Sequence, residues 1–209
     1  MLIERKSHPV SASLSNRGGS IRLDADNPAV GYWDWIGVYQ GSYPSDPSSN
    51  LVTWQWVSRL PDTLGTPWRS NLLVAYVGWD YRAGRYVYVA RDSAQRTSSS
   101  RPDIRATDSF EVTVTLDRDP ANRIILGGTT DSAVGYWDWV GLYAGQVPDD
   151  SSGVISHWPT DHSDSRYVTS GLPQAIGQQW QPGFLATYVA WDYRRSSYVN
   201  LAETTLITI

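Results

Sequence analysis

The sequence predicts an all-β protein that contains two copies of one antiparallel β-sandwich, a tandem duplication. The first observation is an internal repeat: GYWDWIGVYQG at residues 31–41 returns as GYWDWVGLYAG at 135–145, with eight of the eleven positions identical. The second is a series of short runs in which apolar and polar residues alternate, and the third is the lack of a window with helical periodicity. So long a match in such rare residue types indicates a duplicated fold.

A second repeated block confirms the register of the two copies. YVGWDYR at 76–82 matches YVAWDYR at 188–194, and the match continues for several residues beyond each block. Upstream, residues 10–14 align weakly with 114–118. The repeat therefore covers nearly the whole chain, and a functional site that belongs to the repeat is expected in both copies.

Each copy is about 100 residues long, which is the size of a small domain rather than of a solenoid unit. We expect the first β-sandwich at 1–95 and the second at 109–209. The segment between them, about 96–108, is polar and poor in large apolar residues, so it is expected to be an exposed linker.

Strand signals follow one another along each copy. Residues 51–57 are rich in β-branched and aromatic side chains, and 111–116 alternate cleanly between apolar and polar. Residues 72–81 and 86–90 flank the sequence RAGR, which is typical of a hairpin tip, and the second copy has RRSS at the same place. Several short strands with frequent turns favour a β-sandwich in each copy.

The sequence DWIGVY at 34–39 resembles a strand of SKICH domains, and it is similar to the strand that opens the N-terminal Ig-like domain of purple acid phosphatases. An aromatic strand follows at 52–57, and an Ala-Tyr-rich hairpin at 73–87. The second copy matches in the same order at 138–143 and 186–199. The resemblance implies that each copy is an Ig-like antiparallel β-sandwich and that the protein has a non-catalytic adaptor or targeting role.

The aromatic composition favours a binding surface over a plain core. The chain has 11 Trp and 13 Tyr but only 2 Phe, and Trp and Tyr carry a polar tip that suits half-exposed positions. A net charge of −4 argues against a nucleic-acid partner. The absence of cysteine excludes disulfides, thiolate metal sites and a Cys nucleophile. Sixteen of the 17 basic residues are Arg, which hints at a bacterial source.

The N-terminal sequence lacks the apolar core of a signal peptide, and no apolar run reaches the ~18 residues of a transmembrane helix. We therefore expect a cytoplasmic protein without a transmembrane segment. Release by lysis or by non-classical secretion is the alternative.

The first candidate site is the Trp-Asp pair inside the repeated segment, Trp33 and Asp34, with its counterparts Trp137 and Asp138. On a strand, Trp33 would share a face with Trp35, while Asp34 would lie on the opposite face. One interpretation is structural: a core Trp, with the carboxylate capping a turn. The other places these side chains at the mouth of a cleft that fits a sugar or a peptide.

The second candidate site is the WDYR block beside the hairpin tip of each copy. It consists of Trp79, Asp80, Tyr81 and Arg82 in the first copy and Trp191, Asp192, Tyr193 and Arg194 in the second. An aromatic plate, a carboxylate and a guanidinium are the groups that a sugar ring needs, and residues near loop tips reach solvent. The alternative is an Asp–Arg pair that tightens the turn, with the rings packed across the hairpin.

Other chemistry has weaker support. The sequence lacks nucleophile-elbow, Walker and dinucleotide-binding motifs. Loop residues could bind zinc or calcium, but none of these groups is duplicated or has an established spacing, so we expect neither a metal nor a cofactor. The candidate zinc ligands are His157, Asp161, His162 and Asp164, and the candidate calcium ligands are Asp24, Asp26 and Asn27, or Asp149 and Asp150.

These features predict a non-enzymatic, lectin-like protein with two equivalent aromatic sites for carbohydrate. Linked weak sites would raise avidity on a multivalent surface. One alternative is a protein- or membrane-targeting component of an insecticidal or cytolytic toxin, or an adaptor, which binds a host or partner protein and can form a homo-oligomer. A weaker alternative is a carboxylate-based hydrolase, which requires Asp34 and Asp80 to face one cleft.

Overall fold

The computed structural model describes residues 1–92, 103–133, 135, 137–148, 154, 156–158 and 173–205. These residues form β-strands and one short 3-10 turn, Val57–Arg59, and the described part of the chain contains no α-helix. The all-β fold class is therefore confirmed. The strands of the first half are β1 Leu2–Arg17, β2 Ser20–Asp26, β3 Trp35–Gln40, β4 Thr53–Trp56, β5 Asp62–Pro67, β6 Leu72–Asp80 and β7 Arg85–Arg91. Those of the second half are β8 Asp103–Arg118, β9 Arg123–Thr130, β10 Trp139–Ala144, β11 Ser156–Trp158, β12 Gln174–Gln179, β13 Phe184–Asp192 and β14 Ser197–Glu203.

One six-stranded sheet contains strands of both halves, in the order β12-β9-β8-β1-β2-β5. Its centre is the antiparallel pair of β1 and β8, whose register runs from Leu2 opposite Leu116 to Ser15 opposite Asp103. Residues 103–108, which were expected to lie in an exposed linker, belong to β8 and pair with β1, so that expectation was wrong for them. The halves are thus joined by one of the longest ladders in the structure.

Two four-stranded sheets complete the fold, one from each half. Their orders are β4-β3-β6-β7 and β11-β10-β13-β14. The arms of the six-stranded sheet also correspond, because β1-β2-β5 in one half has the same order as β8-β9-β12 in the other. The strand order of the first half therefore recurs in the second.

A pseudo-twofold axis passes through the centre of the β1–β8 ladder. The buried residues on the inner face are Val10, Ala12 and Leu14 in β1 and Val112, Val114 and Leu116 in β8. In this alignment His8 corresponds to Phe110, and these two residues are also direct partners across the ladder, with ring centroids 5.3 Å apart. The weak match of 10–14 with 114–118 was therefore misplaced by two residues.

The misplacement has its cause in the first hairpin of each half. Residues 18 and 19, both glycine, join β1 to β2 with φ angles of 61° and 88°, the left-handed conformations that a two-residue hairpin loop requires. The connection from β8 to β9 is longer and includes Asn122, which also has a positive φ of 61°. Because the two connections differ in length, the number of residues that separates equivalent positions of the two halves changes after them.

One hydrophobic core serves both halves. Along β1 and β8, alternate residues are buried on one face of the six-stranded sheet, and the residues between them are exposed or half-buried on the other face. The core cluster contains Val38, Val74 and Tyr76 of the first half together with Val140 and Tyr188 of the second. Both four-stranded sheets therefore cover the same face of the six-stranded sheet.

The β6–β7 and β13–β14 hairpins hold the halves together reciprocally. The Tyr193 N–H donates to Val30 O at 2.8 Å, and Arg194 Nη2 donates to Ala25 O at 3.3 Å. In the opposite direction, Arg82 Nη2 lies 3.5 Å from Thr130 O. Each hairpin tip thus contacts the loop that precedes the repeated Trp-Asp-Trp segment of the other half.

The carboxylates of the WDYR blocks stabilise these tips. Asp192 is only 1% exposed, and its Oδ1 accepts hydrogen bonds from the N–H of Arg194 at 2.9 Å and of Val30 at 3.4 Å. Asp80 Oδ1 likewise accepts from the Arg82 N–H at 2.9 Å. The carboxylates tighten their turns through backbone N–H groups, close to the structural alternative described above.

Removal of the Asp192 carboxylate should destabilise the whole protein, because this carboxylate links a turn of the second half to the loop that precedes β3 in the first half. We expect Asp192→Ala to lower the free energy of unfolding by about 1–3 kcal/mol, the usual effect of leaving buried donors unpaired. Urea denaturation monitored by Trp fluorescence measures the change. Asp26→Ala removes an exposed carboxylate of β2 as a control, and equal stabilities of the two variants would contradict the linking role.

Candidate functional site

A small cavity lies at the junction of the two halves, beside the pseudo-twofold axis. Its volume is about 50 Å³, and it is bordered by residues of both pre-strand loops, both hairpins and β8. A buried water needs roughly 10–15 Å³ by this measure, so the cavity has room for about three or four water-sized groups. It is much smaller than the ~300–1,000 Å³ of an ordinary small-molecule pocket.

The structure brings together half of the side chains that the sequence singled out. Those that line the cavity are Trp33, Asp34, Trp79, Tyr81, Asp138 and Trp191. The others are Asp80 and Asp192, which bond their own turns, Arg82, Tyr193 and Arg194, which bond the backbone of the other half, and Trp137. The two Trp-Asp-Trp segments, which the sequence treated as separate sites, therefore contribute their carboxylates to one shared cavity.

Asp34 is held by the turn that precedes β3. Its backbone N–H donates to Gly31 O at 3.2 Å, and the Gly31 N–H donates back to Asp34 Oδ2 at 2.8 Å. The Tyr76 hydroxyl donates to the same Oδ2 at 2.7 Å and accepts from Asn27 Nδ2 at 2.9 Å. The carboxyl thus caps its turn, as the structural interpretation predicted, and it also lines the cavity.

Asp138 repeats this arrangement in the second half. The Gly135 N–H donates to Asp138 Oδ2 at 2.8 Å, and the Tyr188 hydroxyl donates to it at 2.9 Å. Sequence reasoning missed Tyr76 and Tyr188 as partners of the carboxylates. The available signal was their position, because each tyrosine is the first residue of the second repeated block.

Burial makes both carboxyls unusually basic. Desolvation raises the pKa of Asp34 to about 6, against the opposing effects of the Tyr76 and Gly31 hydrogen bonds. Desolvation also raises the pKa of Asp138 to about 6, with a further increase from the charge of Asp34. The pKa values of Tyr76 and Tyr188 are raised well above their ordinary value by burial and by the adjacent carboxylates, so both tyrosines stay neutral donors.

The pair of carboxylates on which a hydrolase would depend is not assembled. Asp34 lines the cavity, whereas Asp80 is not among its lining residues and caps its own hairpin turn. The two carboxyls that do share the cavity, Asp34 and Asp138, each accept a tyrosine and a glycine hydrogen bond.

A second feature is an aromatic surface formed by Tyr32, Trp33, Trp54 and Trp56 of the first half. Tyr32, Trp33 and Trp54 are 54%, 39% and 44% exposed, which is unusual for such large side chains. Their rings form a continuous row, with centroid distances of 4.6 Å from Tyr32 to Trp33, 5.7 Å from Trp33 to Trp56 and 4.9 Å from Trp56 to Trp54. The row extends across the halves, because Tyr32 also contacts Tyr193 at 5.0 Å.

The strand register at this surface differs between the two halves. In the first half Trp54 lies opposite Gly37 of β3. In the second half the residue opposite Gly141, the counterpart of Gly37, is His157, and Trp158 is displaced by one position along β11. Sequence reasoning missed Trp54 and Trp56 because it gave weight to residues that recur in both copies, and it missed Tyr32 although Tyr32 recurs as Tyr136 in the repeated segment.

The candidate metal ligands have other contacts or lie outside the described residues. Asp24 Oδ1 accepts from the Ala25 N–H at 2.8 Å, and Asn27 bonds Tyr76 and the Ala29 N–H. Asp149, Asp150, Asp161, His162 and Asp164, and the side chain of His157, are not described. Within the described part of the chain, no three His, Cys, Asp or Glu side chains are grouped closely enough to hold a metal ion. The same residues contain no helix long and apolar enough to span a membrane.

Comparison with known proteins identified no relative: no family model, no curated protein sequence and no solved structure matches this chain. The similarity to SKICH domains and to the N-terminal domain of purple acid phosphatases therefore stays a prediction.

The two glycines that precede the buried carboxyls should not tolerate a side chain. A Cβ at Gly31 would lie 2.7 Å from Asp34 Oδ1, and one at Gly135 would lie 2.6 Å from Asp138 Oδ1. Because the turn fixes each carboxyl, we expect Gly31→Ala and Gly135→Ala each to lower the free energy of unfolding by about 1–3 kcal/mol. Gly65→Ala, at a position with open space on β5, is the matched control in urea denaturation. A loss no greater than that of the control would contradict the tight fit.

The raised pKa of Asp34 and of Asp138 predicts a specific pH dependence of stability. The two carboxyls bind protons more tightly in the folded state than in the unfolded chain, where their pKa is near 3.8. Below about pH 4 both states are protonated, so the carboxyls do not lower the free energy of unfolding. As the pH rises through about 6 they lower it progressively, and above that the loss of stability is constant. We expect wild-type protein to lose stability relative to Asp34→Asn/Asp138→Asn over this range, as measured by urea denaturation at several pH values. A difference that does not change with pH would contradict the assignment.

Proposed function

We propose that this protein is a non-enzymatic carbohydrate-binding protein, and that its main sugar-binding site is the aromatic surface of the first half. The observation that carries this proposal is the row of four adjacent rings in which Tyr32, Trp33 and Trp54 are exposed. The surface replaces the hairpin tips as the preferred site, since the carboxylates and guanidiniums of those tips bond within the fold.

The exposure of these rings is costly without a ligand. Complete burial of an aromatic side chain covers about 150–250 Å². Tyr32, Trp33 and Trp54 keep 39–54% of their surface in water, and monomeric proteins rarely leave large contiguous apolar patches exposed. The fold also contains a core large enough to take such residues, as the buried Tyr39 and Tyr76 show. The position of Trp54 and Trp33 outside that core therefore supports a role in contact with another molecule.

The geometry of the rings suits a chain of sugars better than a flat ligand. Neighbouring rings are inclined by 81° between Tyr32 and Trp33, 58° between Trp33 and Trp56, and 81° between Trp56 and Trp54. The surface is therefore ridged, so each ring offers its own face to the apolar face of one sugar. The indole N–H and phenol O–H groups supply polar tips for hydroxyl groups.

The charge of the chain favours sugars over nucleic acid, which also stacks on aromatic rings. Binding of single strands requires a positively charged groove beside the stacking rings. This chain has a net charge of −4, which disfavours such a groove and a phosphate backbone in it.

The test is a glycan array with wild-type protein, followed by titration of the best ligand against Trp54→Ala and Trp33→Ala. Loss of one stacked ring removes roughly 1.5 kcal/mol or more of apolar burial, so we expect each variant to bind at least about tenfold more weakly. Trp180→Phe is the control, because Trp180 packs against the core and under Arg118. It should leave the affinity unchanged.

A glycan array without any ligand would overturn the carbohydrate proposal, as would full affinity in both tryptophan variants. Liposomes of neutral and anionic lipids serve as a second arm. Binding or leakage that depends on Trp54, in the absence of glycan binding, would favour the membrane-targeting alternative instead.

A further inference from the structure

The two carboxyls of the central cavity have unused acceptor capacity. Asp34 and Asp138 are 8% and 6% exposed, and both line the cavity. Each receives its tyrosine and glycine hydrogen bonds on Oδ2, while Oδ1 accepts none from the described residues. Buried carboxylates that lack a positive partner are costly, which points to a ligand that supplies one.

The basic side chains near the cavity are directed elsewhere. Arg82 and Arg194 approach the buried tyrosines, but their guanidinium groups donate to the backbone carbonyls of Thr130 and Ala25. No ion pair between a described basic side chain and Asp34 or Asp138 is present, whereas Asp192 has Arg195 as a partner at 3.4 Å. The cavity therefore contains two carboxyls without a cation among the described residues.

The walls of the cavity suit an organic cation rather than a bare metal ion. Trp33, Trp79, Tyr81 and Trp191 line it together with the carboxyls. Aromatic rings attract ammonium groups through their negative faces and also cover attached methylene groups. A metal ion would instead need several oxygen or nitrogen ligands in a closed shell, and no cluster of that kind occurs in the described residues.

The size of the cavity limits the part of a ligand that enters it. A volume of about 50 Å³ accommodates three or four water-sized groups, which corresponds to an ammonium with two or three carbons. A complete sugar ring is too large for it. A primary amine also has three N–H donors, enough to bond both free Oδ1 atoms at once.

We propose that the cavity between the two halves binds the protonated primary amine of a small molecule, with the ammonium between Asp34 and Asp138 and the adjoining carbons against the tryptophans. This site is distinct from the aromatic surface proposed for sugars, although Trp33 belongs to both. The amine can be that of a simple alkylamine or that of an amino sugar, and the experiment separates these sources.

The test uses the full chain at pH 7.5 and titrates ethylammonium chloride against sodium chloride of equal ionic strength, monitored by Trp fluorescence and by calorimetry. We expect saturable binding of ethylammonium and at least tenfold weaker binding of tetramethylammonium, which is bulkier and has no N–H donors. Asp34→Asn/Asp138→Asn should weaken ethylammonium binding at least tenfold. Trp54→Ala should leave it unchanged, so failure here is distinguishable from failure of the glycan test.

A second measurement keeps the proposal testable if the double variant does not fold. Ethylammonium should bind wild-type protein less tightly at pH 5 than at pH 7.5, because protonation removes the charge of Asp34 and Asp138. The other ionisable groups around them are Tyr76, Tyr86 and Tyr188, whose raised pKa values keep them neutral, and Tyr81, which lines the cavity. Asp80, Asp192, Arg82 and Arg194 are held in the hairpin turns.

Comparison of glucosamine with N-acetylglucosamine identifies the source of the amine. Binding of glucosamine that depends on Asp34 and Asp138, without binding of the acetylated sugar, assigns an amino sugar. Binding of ethylammonium alone assigns a simple amine. The proposal would be overturned by a fluorescence and calorimetric response to ethylammonium chloride that is no larger than the response to sodium chloride. Equal binding of ethylammonium by wild-type and double-variant protein would also overturn it.

Discussion

The antiparallel ladder between β1 and β8 determines the rest of the structure. Because these two strands pair along nearly their full length, the halves share one six-stranded sheet, and both four-stranded sheets must cover the same face of it. The ends of those sheets then meet above the centre of the ladder, where His8 lies opposite Phe110. The cavity, the two buried carboxyls and the reciprocal hairpin contacts all lie at this meeting point.

Burial of the two carboxyls lowers the stability of the folded state, and hydrogen bonds from the surrounding residues offset part of this loss. Desolvation disfavours the charge of Asp34 and Asp138, but the Tyr76 and Tyr188 hydroxyls and the glycine N–H groups stabilise it. The same hydrogen bonds fix the turns that start β3 and β10, so the carboxyls orient the Trp-Asp-Trp segments. A polar network of this kind specifies one arrangement of the junction, where apolar side chains of similar size would permit several.

Much of the local structure was predictable from the sequence, whereas the association of the halves was not. Alternation of residue types predicted β8, and turn residues predicted the hairpin between β6 and β7. The pairing of β1 with β8 joins segments that are distant in the chain, and no local pattern specifies such a partner. For the same reason Asp34 and Asp138 were assigned to two sites. The exposed row around Trp54 was overlooked because Trp54 and Trp56 lie outside the repeated blocks.

Repetition in the sequence therefore has two different meanings in this protein. Residues that recur, such as Asp34 and Asp138, lie on either side of the pseudo-twofold axis, where each copy supplies one side of a single cavity. The aromatic surface combines recurring residues, Tyr32 and Trp33, with Trp54 and Trp56, which lie outside the repeated blocks. Trp33 belongs to both features, since it lines the cavity beside Asp34 and its ring contacts Tyr32 and Trp56. It is therefore the side chain at which the surface of the first half meets the junction of both halves.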